Sequence, residues 1–432
     1  MLYRQLEQRQ QENRPIRIGV SGAGWMGSGF VAAVAQMPGM VVNVLADPDL
    51  GAAHAAFAAA GVPAEAVVEA SAIGPAMDAL AAGKCVVTGS YSLASQLDAV
   101  DIVADVTWSP AVGAETAYVC IQNGKDVVLV NIEADVTVGH ILHKLAQDAD
   151  VLYTVSSGDE PGCLMELHDF VRCLGYEVIA IGKGKNNPLD PTATPDSVAE
   201  AAAKAGKDAY QTASYVDGTK TMFEMTCAAN ASGCRPLKRG MTGPVATPET
   251  VTGLFALVED GGISRYPGIV DFVQGPAMAG GVFVVVRVNE ARIAADLKYL
   301  KVGNGRYSTL FRPYHLWFLE APLSVARAHL YKQATLVPLD RPVADVMTIS
   351  KRDLRPGDHL DAFGGFTFHG AMDRAEEAAR LHALPAGLAP DAILTRPVAK
   401  GEVVTWEDVQ LDEASLLVQL RRRQDALFGH LL

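Results

Sequence analysis

The chain has 432 residues, 49% of them hydrophobic, and 36 Lys and Arg stand against 49 Asp and Glu for a formal net charge of −13. That length and apolar content suit two or three domains around sizeable cores, and the acidic balance argues against nucleic acid or an anionic membrane as the main partner while allowing a local cationic pocket. No apolar run reaches the roughly 20 residues of a membrane span and the polar start lacks a signal-peptide core, so a cytoplasmic location is expected.

Residues 1–14 read as a polar, charged helix ahead of the first strand. The next run, Ile16-Arg-Ile-Gly-Val-Ser-Gly-Ala-Gly-Trp-Met-Gly27, joins an apolar strand to a helix through Gly22, Gly24 and Gly27. In that context G-x-G-x-x-G is a dinucleotide fingerprint: a tight turn, a close approach to the pyrophosphate and a close helix–strand packing. The phosphates then meet backbone N–H groups at the helix N-terminus. The run 41–46 ends in Asp47, twenty residues past Gly27, where a carboxylate can hold the adenine ribose hydroxyls. A 2′-phosphate would be repelled there, and no Lys or Arg occurs between Met40 and Lys84, so NAD(H) is preferred over NADP(H).

Short apolar runs at 85–88, 102–106, 127–130 and 151–155 alternate with Ala-rich helical stretches, giving six strands of a doubly wound parallel sheet that ends near residue 157. Trp25, Met26, Thr107 and Asn131 join the three glycines and Asp47 as candidate cofactor-binding residues. β-like runs at 177–184, 220–227 and 282–288 point to an α+β second domain with a mixed or antiparallel sheet, and 323–330 to a helix returning toward the first domain. A short helix is expected at 197–205. From 337 the pattern shifts to Pro/Gly turns and short strands at 346–349 and 392–396, closing on a helix at 413–428 with Arg421 to Arg423 on a solvated face. The expected division is 1–157, 158–336 and 337–432. The six cysteines form no C-x-x-C and no metal spacing, so reduced thiols and no structural metal are expected.

Substrate groups should lie on loops after the strands, at the carboxyl edge of the sheet. One such loop runs Asn131-Ile-Glu-Ala-Asp-Val-Thr137 and includes Glu133; another, Ser156-Ser-Gly-Asp-Glu-Pro-Gly162, offers Asp159 and Glu160 as acid or base, or as a helix cap. Gly182-Lys-Gly-Lys-Asn-Asn-Pro188 reads as a flexible turn carrying two ammonium groups, Lys183 and Lys185, and two amides, Asn186 and Asn187. Such a turn suits an anion or a developing alkoxide; a solvated basic turn is the plain alternative. Asp217-Gly-Thr-Lys220 reads as a hairpin turn whose Lys220 enters a strand, with Glu224 and Asn230 facing the same cleft. In Arg312-Pro-Tyr-His315 the guanidinium suits a carboxylate or phosphate, while Tyr314 and His315 can orient hydroxyls or carry protons.

These segments together resemble the deoxyxylulose 5-phosphate reductoisomerase-like (DRL) oxidoreductases, relatives of homoserine dehydrogenase, from about residue 15 to 428. The motifs carrying the likeness are residues 17–27, 131–137, 158–161, 182–189, 217–220 and 312–316. Residues 351–358 and 398–409 separately resemble a β-clip module of the SAF type. The DRL resemblance implies a homodimer and a nicotinamide-dependent reaction, with catalysis and dimer contacts in the second domain. The reductoisomerase reaction itself uses NADPH, which Asp47 disfavours, and the Asn-Lys pair usual in homoserine dehydrogenases is Asn131-Ile132 here. The expectation is therefore an NAD(H)-dependent oxidoreductase of a small anionic hydroxy-carbonyl or polyol substrate, a sugar acid or sugar phosphate. The alternatives are an NADPH-dependent 1-deoxy-D-xylulose 5-phosphate reductoisomerase and, from another class, a nucleotide-binding sensor without catalysis.

Overall fold

The structure, a computed structural model, describes residues 1–431. Its strands are β1 (Ile16–Ser21), β2 (Met40–Ala46), β3 (Val67–Glu69), β4 (Cys85–Thr88), β5 (Ile102–Asp105), β6 (Val127–Leu129), β7 (Tyr153–Val155), β8 (Glu177–Lys185), β9 (Ile269–Gln274), β10 (Val282–Arg287), β11 (Tyr307–Arg312), β12 (Ala344–Ser350), β13 (Phe368–Arg374), β14 (Ile393–Leu394) and β15 (Val409–Gln410). The α-helices are α1 (Leu2–Gln11), α2 (Trp25–Ala35), α3 (Leu50–Ala59), α4 (Ile73–Ala81), α5 (Pro110–Gln122), α6 (Ile132–Asp148), α7 (Glu160–Cys173), α8 (Pro195–Ala205), α9 (Ala209–Val216), α10 (Thr219–Ser232), α11 (Val251–Leu254), α12 (Ala291–Tyr299), α13 (Ala321–Tyr331), α14 (Ala375–Arg380) and α15 (Leu416–Phe428). Among the described residues no helix is long and apolar enough to cross a membrane.

Two compact units divide the chain, 1–162 with 316–337 and 163–315 with 338–432. The first is a Rossmann-like α/β fold: a seven-stranded parallel sheet ordered β3-β4-β2-β1-β5-β6-β7. Ile16, Ile18, Val20 and Leu45 are wholly buried, as strands covered on both faces require. All six expected strands form. The seventh, β3, has only three residues at the sheet edge, none fully buried, and so gives no apolar run to read. Strand order reverses between β1 and β5, which opens a crevice at their carboxyl ends. Helix α13 comes back into this unit, and its Val325, Ala326 and Ala328 pack in one core with Val20 and Phe30.

The second unit holds a mixed sheet ordered β11-β10-β8-β9, with β8 and β9 parallel and β10 antiparallel to β8 and β11. On one face Phe255, Ile269, Phe283 and Val285 form a core. On the other lies α10, where a strand was expected at 220–227. From Thr219 to Asn230 nearly every residue of α10 is buried, and a helix enclosed on all sides has no polar stripe, so its 3.6-residue period is invisible in the sequence. The hairpin expected at Asp217 is instead the helix start: Gly218 takes φ +91°, and Asp217 accepts from the Thr219 N–H at 2.8 Å.

Residues 338–432 contribute two small antiparallel pairs, β12-β13 and β14-β15. They grip α10 at both ends. Gly370 N–H donates to Thr219 Oγ1 at 2.9 Å, while Asn230 Oδ1 accepts from Val343 and Ala344 at 2.9 and 3.0 Å. Buried Lys351 pairs with buried Asp217 at 2.7 Å and donates to the Ala193 and Gly365 carbonyls. The closing helix is shorter at its start than expected. Its Arg421 is not on a solvated face but buried, pairing with Asp345 and with Asp425 at 2.8 Å, because only paired carboxylates make burial of that charge tolerable.

Candidate functional site

The first unit assembles the fingerprint as its residues demand. Gly22 takes φ +102°, and a Cβ there would lie 3.0 Å from Thr107 Cγ2; a Cβ on Gly27 would lie 2.0 Å from the Gly22 carbonyl oxygen. At Gly24, by contrast, a Cβ would meet nothing within 4 Å, so open space stands where a phosphate would approach the start of α2. Asp47 ends at this turn, with Oδ2 accepting from the Ala23 N–H at 2.7 Å and Oδ1 from the Asp49 N–H at 2.9 Å. The donor-rich turn and the adjacent carboxylate fit a dinucleotide. Trp25 is exposed in the first turn of α2, with Met26 half-buried beside it, and its ring edges Trp317 and Phe318 at 5.4 and 5.6 Å. Nothing in the sequence pointed to that aromatic group.

Asn131 and Glu133 are not on a loop. Asn131 caps α6, its Oδ1 accepting from the Ala134 N–H at 3.0 Å, while Nδ2 donates to Thr107 Oγ1 at 3.2 Å and to the Ser109 carbonyl at 2.8 Å. Glu133 is buried inside α6, since the segment after β6 turns helical at once. Asp159 is half-buried, and Glu160 is buried in the first turn of α7, its N–H bonded to Asp159 Oδ1 at 3.2 Å. The residue missed here is Asp105, the last of β5, wholly buried and bonded to Thr107; an Asp ending an apolar run carried no signal of its own.

In the second unit the lysines lie on no flexible turn. Lys183 and Lys185 belong to β8, and the Gly-Lys-Gly-Lys alternation is a strand pattern of period two. Only glycine fits the face opposite the lysines: a Cβ on Gly182 would come within 2.2 Å of the Asp271 carbonyl oxygen, and one on Gly184 within 1.7 Å of that of Met278. The lysines therefore share the α10 face and are both buried. Lys183 forms a buried ion pair with Glu224 of α10. Lys185 donates to the Tyr215 carbonyl at 2.5 Å, and burial, with the Lys183 charge beside it, pushes its ammonium down to about 8 despite the pull of Glu224 and Asp217.

Register adds a third cation. Val282 of β10 pairs with Lys183 on one side and Arg312 on the other, so all three side chains leave the same face. With strands about 4.8 Å apart, the Lys183 and Arg312 backbones are about 10 Å apart. Arg312 bonds to Glu166 of α7 at 3.3 Å and stacks over Tyr314 at 4.8 Å. His315 is half-buried, its Nδ1 bonded to the Gly280 carbonyl at 2.8 Å. Lys220 stands on α10 one turn before Glu224. Asn186 is exposed and Asn187 half-buried just past β8. Asn230 does not join this group, because its side chain is spent on residues 343 and 344.

Comparison with solved structures finds similar chains at low identity. A probable dehydrogenase from Thermotoga maritima is 13% identical, with 74% of this chain and 90% of that one covered and a TM-score of 0.42. A putative myo-inositol dehydrogenase from Sinorhizobium meliloti 1021 is 14% identical (73% and 87% covered, TM-score 0.39), and an apo scyllo-inositol dehydrogenase from Lactobacillus casei is 12% identical (74% and 89%, TM-score 0.38). Among curated proteins no match is found. Residues 158–321, the stretch that includes Lys183, Lys185, Glu224 and Arg312, match the family described as the catalytic domain of oxidoreductase DRL.

Proposed function

We propose that this protein is an NAD(H)-dependent oxidoreductase of a small anionic hydroxy-carbonyl or polyol substrate, a sugar acid or sugar phosphate. The single observation that carries the chemistry is Lys185, buried on the same strand face as Lys183 and poised near 8. A general acid or base works best with its ordinary pKa moved toward the operating pH. Nicotinamide, when bound, supplies or accepts the hydride. Lys185 Nζ gives a proton to the carbonyl oxygen as it becomes a hydroxyl, and takes that proton back in the oxidative direction. Lys183, held by Glu224, keeps a fixed positive charge nearby, and Arg312 supplies the fork for the substrate's carboxylate or phosphate.

Selection of NAD(H) rests on Asp47, whose carboxylate lies at the glycine turn where a 2′-phosphate would have to be accommodated. Asp159, Glu160, Lys220, His315, Asn186 and Asn187 are the further candidates for substrate hydroxyls, with Tyr314 beside Arg312. We further propose that the protein works as a cytoplasmic homodimer, divided at 1–157, 158–336 and 337–432, the last part being an SAF-like module. The test is a panel of polyols, sugar acids and their phosphates with NAD+ and NADP+, read by nicotinamide absorbance. Turnover of an anionic member with NAD+, abolished in Lys185→Met, supports the reading; turnover that survives in Lys185→Met removes Lys185 from the chemistry.

A further inference from the structure

Asp105 is a carboxylate that the proposed reaction does not use, buried at the carboxyl end of β5 where the strand order reverses. Its Oδ1 accepts from the Thr107 N–H at 3.3 Å and from the Thr107 hydroxyl at 2.8 Å. Asn131 is oriented by its cap to α6, and its amide donates to Thr107 Oγ1 and to the Ser109 carbonyl. A threonine hydroxyl has one hydrogen and two lone pairs. Here the hydrogen goes to Asp105 and one lone pair to Asn131, which leaves one lone pair on a half-buried residue whose methyl group and backbone lie next to Gly22. Gly113 makes the arrangement possible, since a Cβ there would lie 2.6 Å from Asn131 Nδ2 and 2.9 Å from Asp105 Oδ2.

We propose that Asp105 sets the hydrogen-bond polarity of Thr107, so that the half-buried Thr107 hydroxyl acts only as an acceptor and takes a donor from the nicotinamide half of the dinucleotide, either the carboxamide N–H or a ribose hydroxyl. This rests on the dinucleotide reading above. Polarity is switchable. Burial pushes the Asp105 carboxyl up to about 7, with Glu133 adding to the rise and the Thr107 and Asn131 donors opposing it. In the protonated acid the Oδ1 hydroxyl donates to Thr107 Oγ1, which turns the threonine hydrogen outward. The titratable groups acting on or feeling Asp105 are Glu133 of α6, Tyr91 after β4 and Cys120 of α5; burial pushes Tyr91 up to about 12 and raises Cys120 as well, so neither titrates near 7.

The test is the dissociation constant of NADH, its 3-acetylpyridine analogue and ADP between pH 5.5 and 8.5, for the wild type, Asp105→Asn and Thr107→Ser. NADH affinity of the wild type should fall up to tenfold per pH unit below about 7. Asp105→Asn, whose amide can donate to Thr107, should bind NADH at least tenfold more weakly at pH 8 with a flat profile, while Thr107→Ser keeps the wild-type profile. ADP, which lacks the nicotinamide half, should bind all three proteins within twofold. A pH dependence lost with the acetylpyridine analogue identifies the carboxamide as donor; one retained identifies the ribose. Equal NADH affinity and profile in wild type and Asp105→Asn overturn the proposal, and so does an equal loss of ADP affinity, which would make Asp105 a support of the fold. Failure of the wild type to bind any dinucleotide instead refutes the dinucleotide reading itself.

Discussion

Replacing Lys185 with Met should remove turnover and yet not weaken the fold at neutral pH. The ammonium is shifted from 10.5 to about 8, and at about 1.4 kcal/mol per pKa unit the charged form costs the folded state on the order of 3 kcal/mol at pH 7. Met fills a similar volume without charge, but it removes the hydrogen bond from Lys185 to the Tyr215 carbonyl at a cost of about 1–3 kcal/mol. The net expectation is a variant between equal stability and about 2 kcal/mol more stable. The pH signature is sharper. The folded pKa lies below the unfolded one, so between about 8 and 10.5 the unfolded chain binds more protons and wild-type stability rises with pH. From pH 7 to 9.5 the penalty falls from about 3 to roughly 1.4 kcal/mol in the wild type and is absent from the variant. Urea unfolding of both proteins at the two pH values gives this difference of differences, in which other titrating groups cancel. A wild type that gains nothing over Lys185→Met between pH 7 and 9.5 would refute a buried, depressed ammonium.

Lys183→Met removes one charge of the buried pair with Glu224 and should cost about 3–5 kcal/mol by the same urea assay, unlike Lys185→Met. Gly184→Ala places a methyl group against the Met278 carbonyl and should destabilise by about 1–3 kcal/mol or prevent folding, read by thermal unfolding. Arg312→Lys keeps a charge but loses the fork and its stacking on Tyr314; KM for the anionic substrate should rise about tenfold or more while NADH affinity stays within about twofold. An unmoved KM would place Arg312 outside substrate binding.

What the sequence displayed clearly was the first unit. Strand, glycine turn, helix and Asp47 agree because each is a local requirement of one crevice, and the parallel strands are buried runs that stand out by composition. The three-residue β3 had too little apolar sequence to be seen. In the second unit legibility failed where burial erased periodicity, as in α10, and where glycines were read as turn residues. Gly182 and Gly184 are there because backbone crosses their face of the strand, a fact set by Asp271 and Met278 nearly a hundred residues on. The pairing of Lys183 with Glu224 and the row shared with Arg312 likewise depend on register between distant segments. Asp105 was invisible because complete burial sets it apart rather than any local pattern: its partner Thr107 stands two residues on, and only Thr107 is in turn bonded by Asn131 from the end of another strand.

The central claim, a dinucleotide held at the glycine turn and chosen by Asp47, is tested most directly by calorimetric titration of NADH and NADPH into the wild type and into Asp47→Ser with Pro48→Arg. Wild-type protein should bind NADH at least tenfold more tightly than NADPH, a difference of about 1.4 kcal/mol, and the double variant should narrow or reverse it. Equal affinities in the wild type would contradict the role given to Asp47, and absence of binding by both would contradict the dinucleotide site.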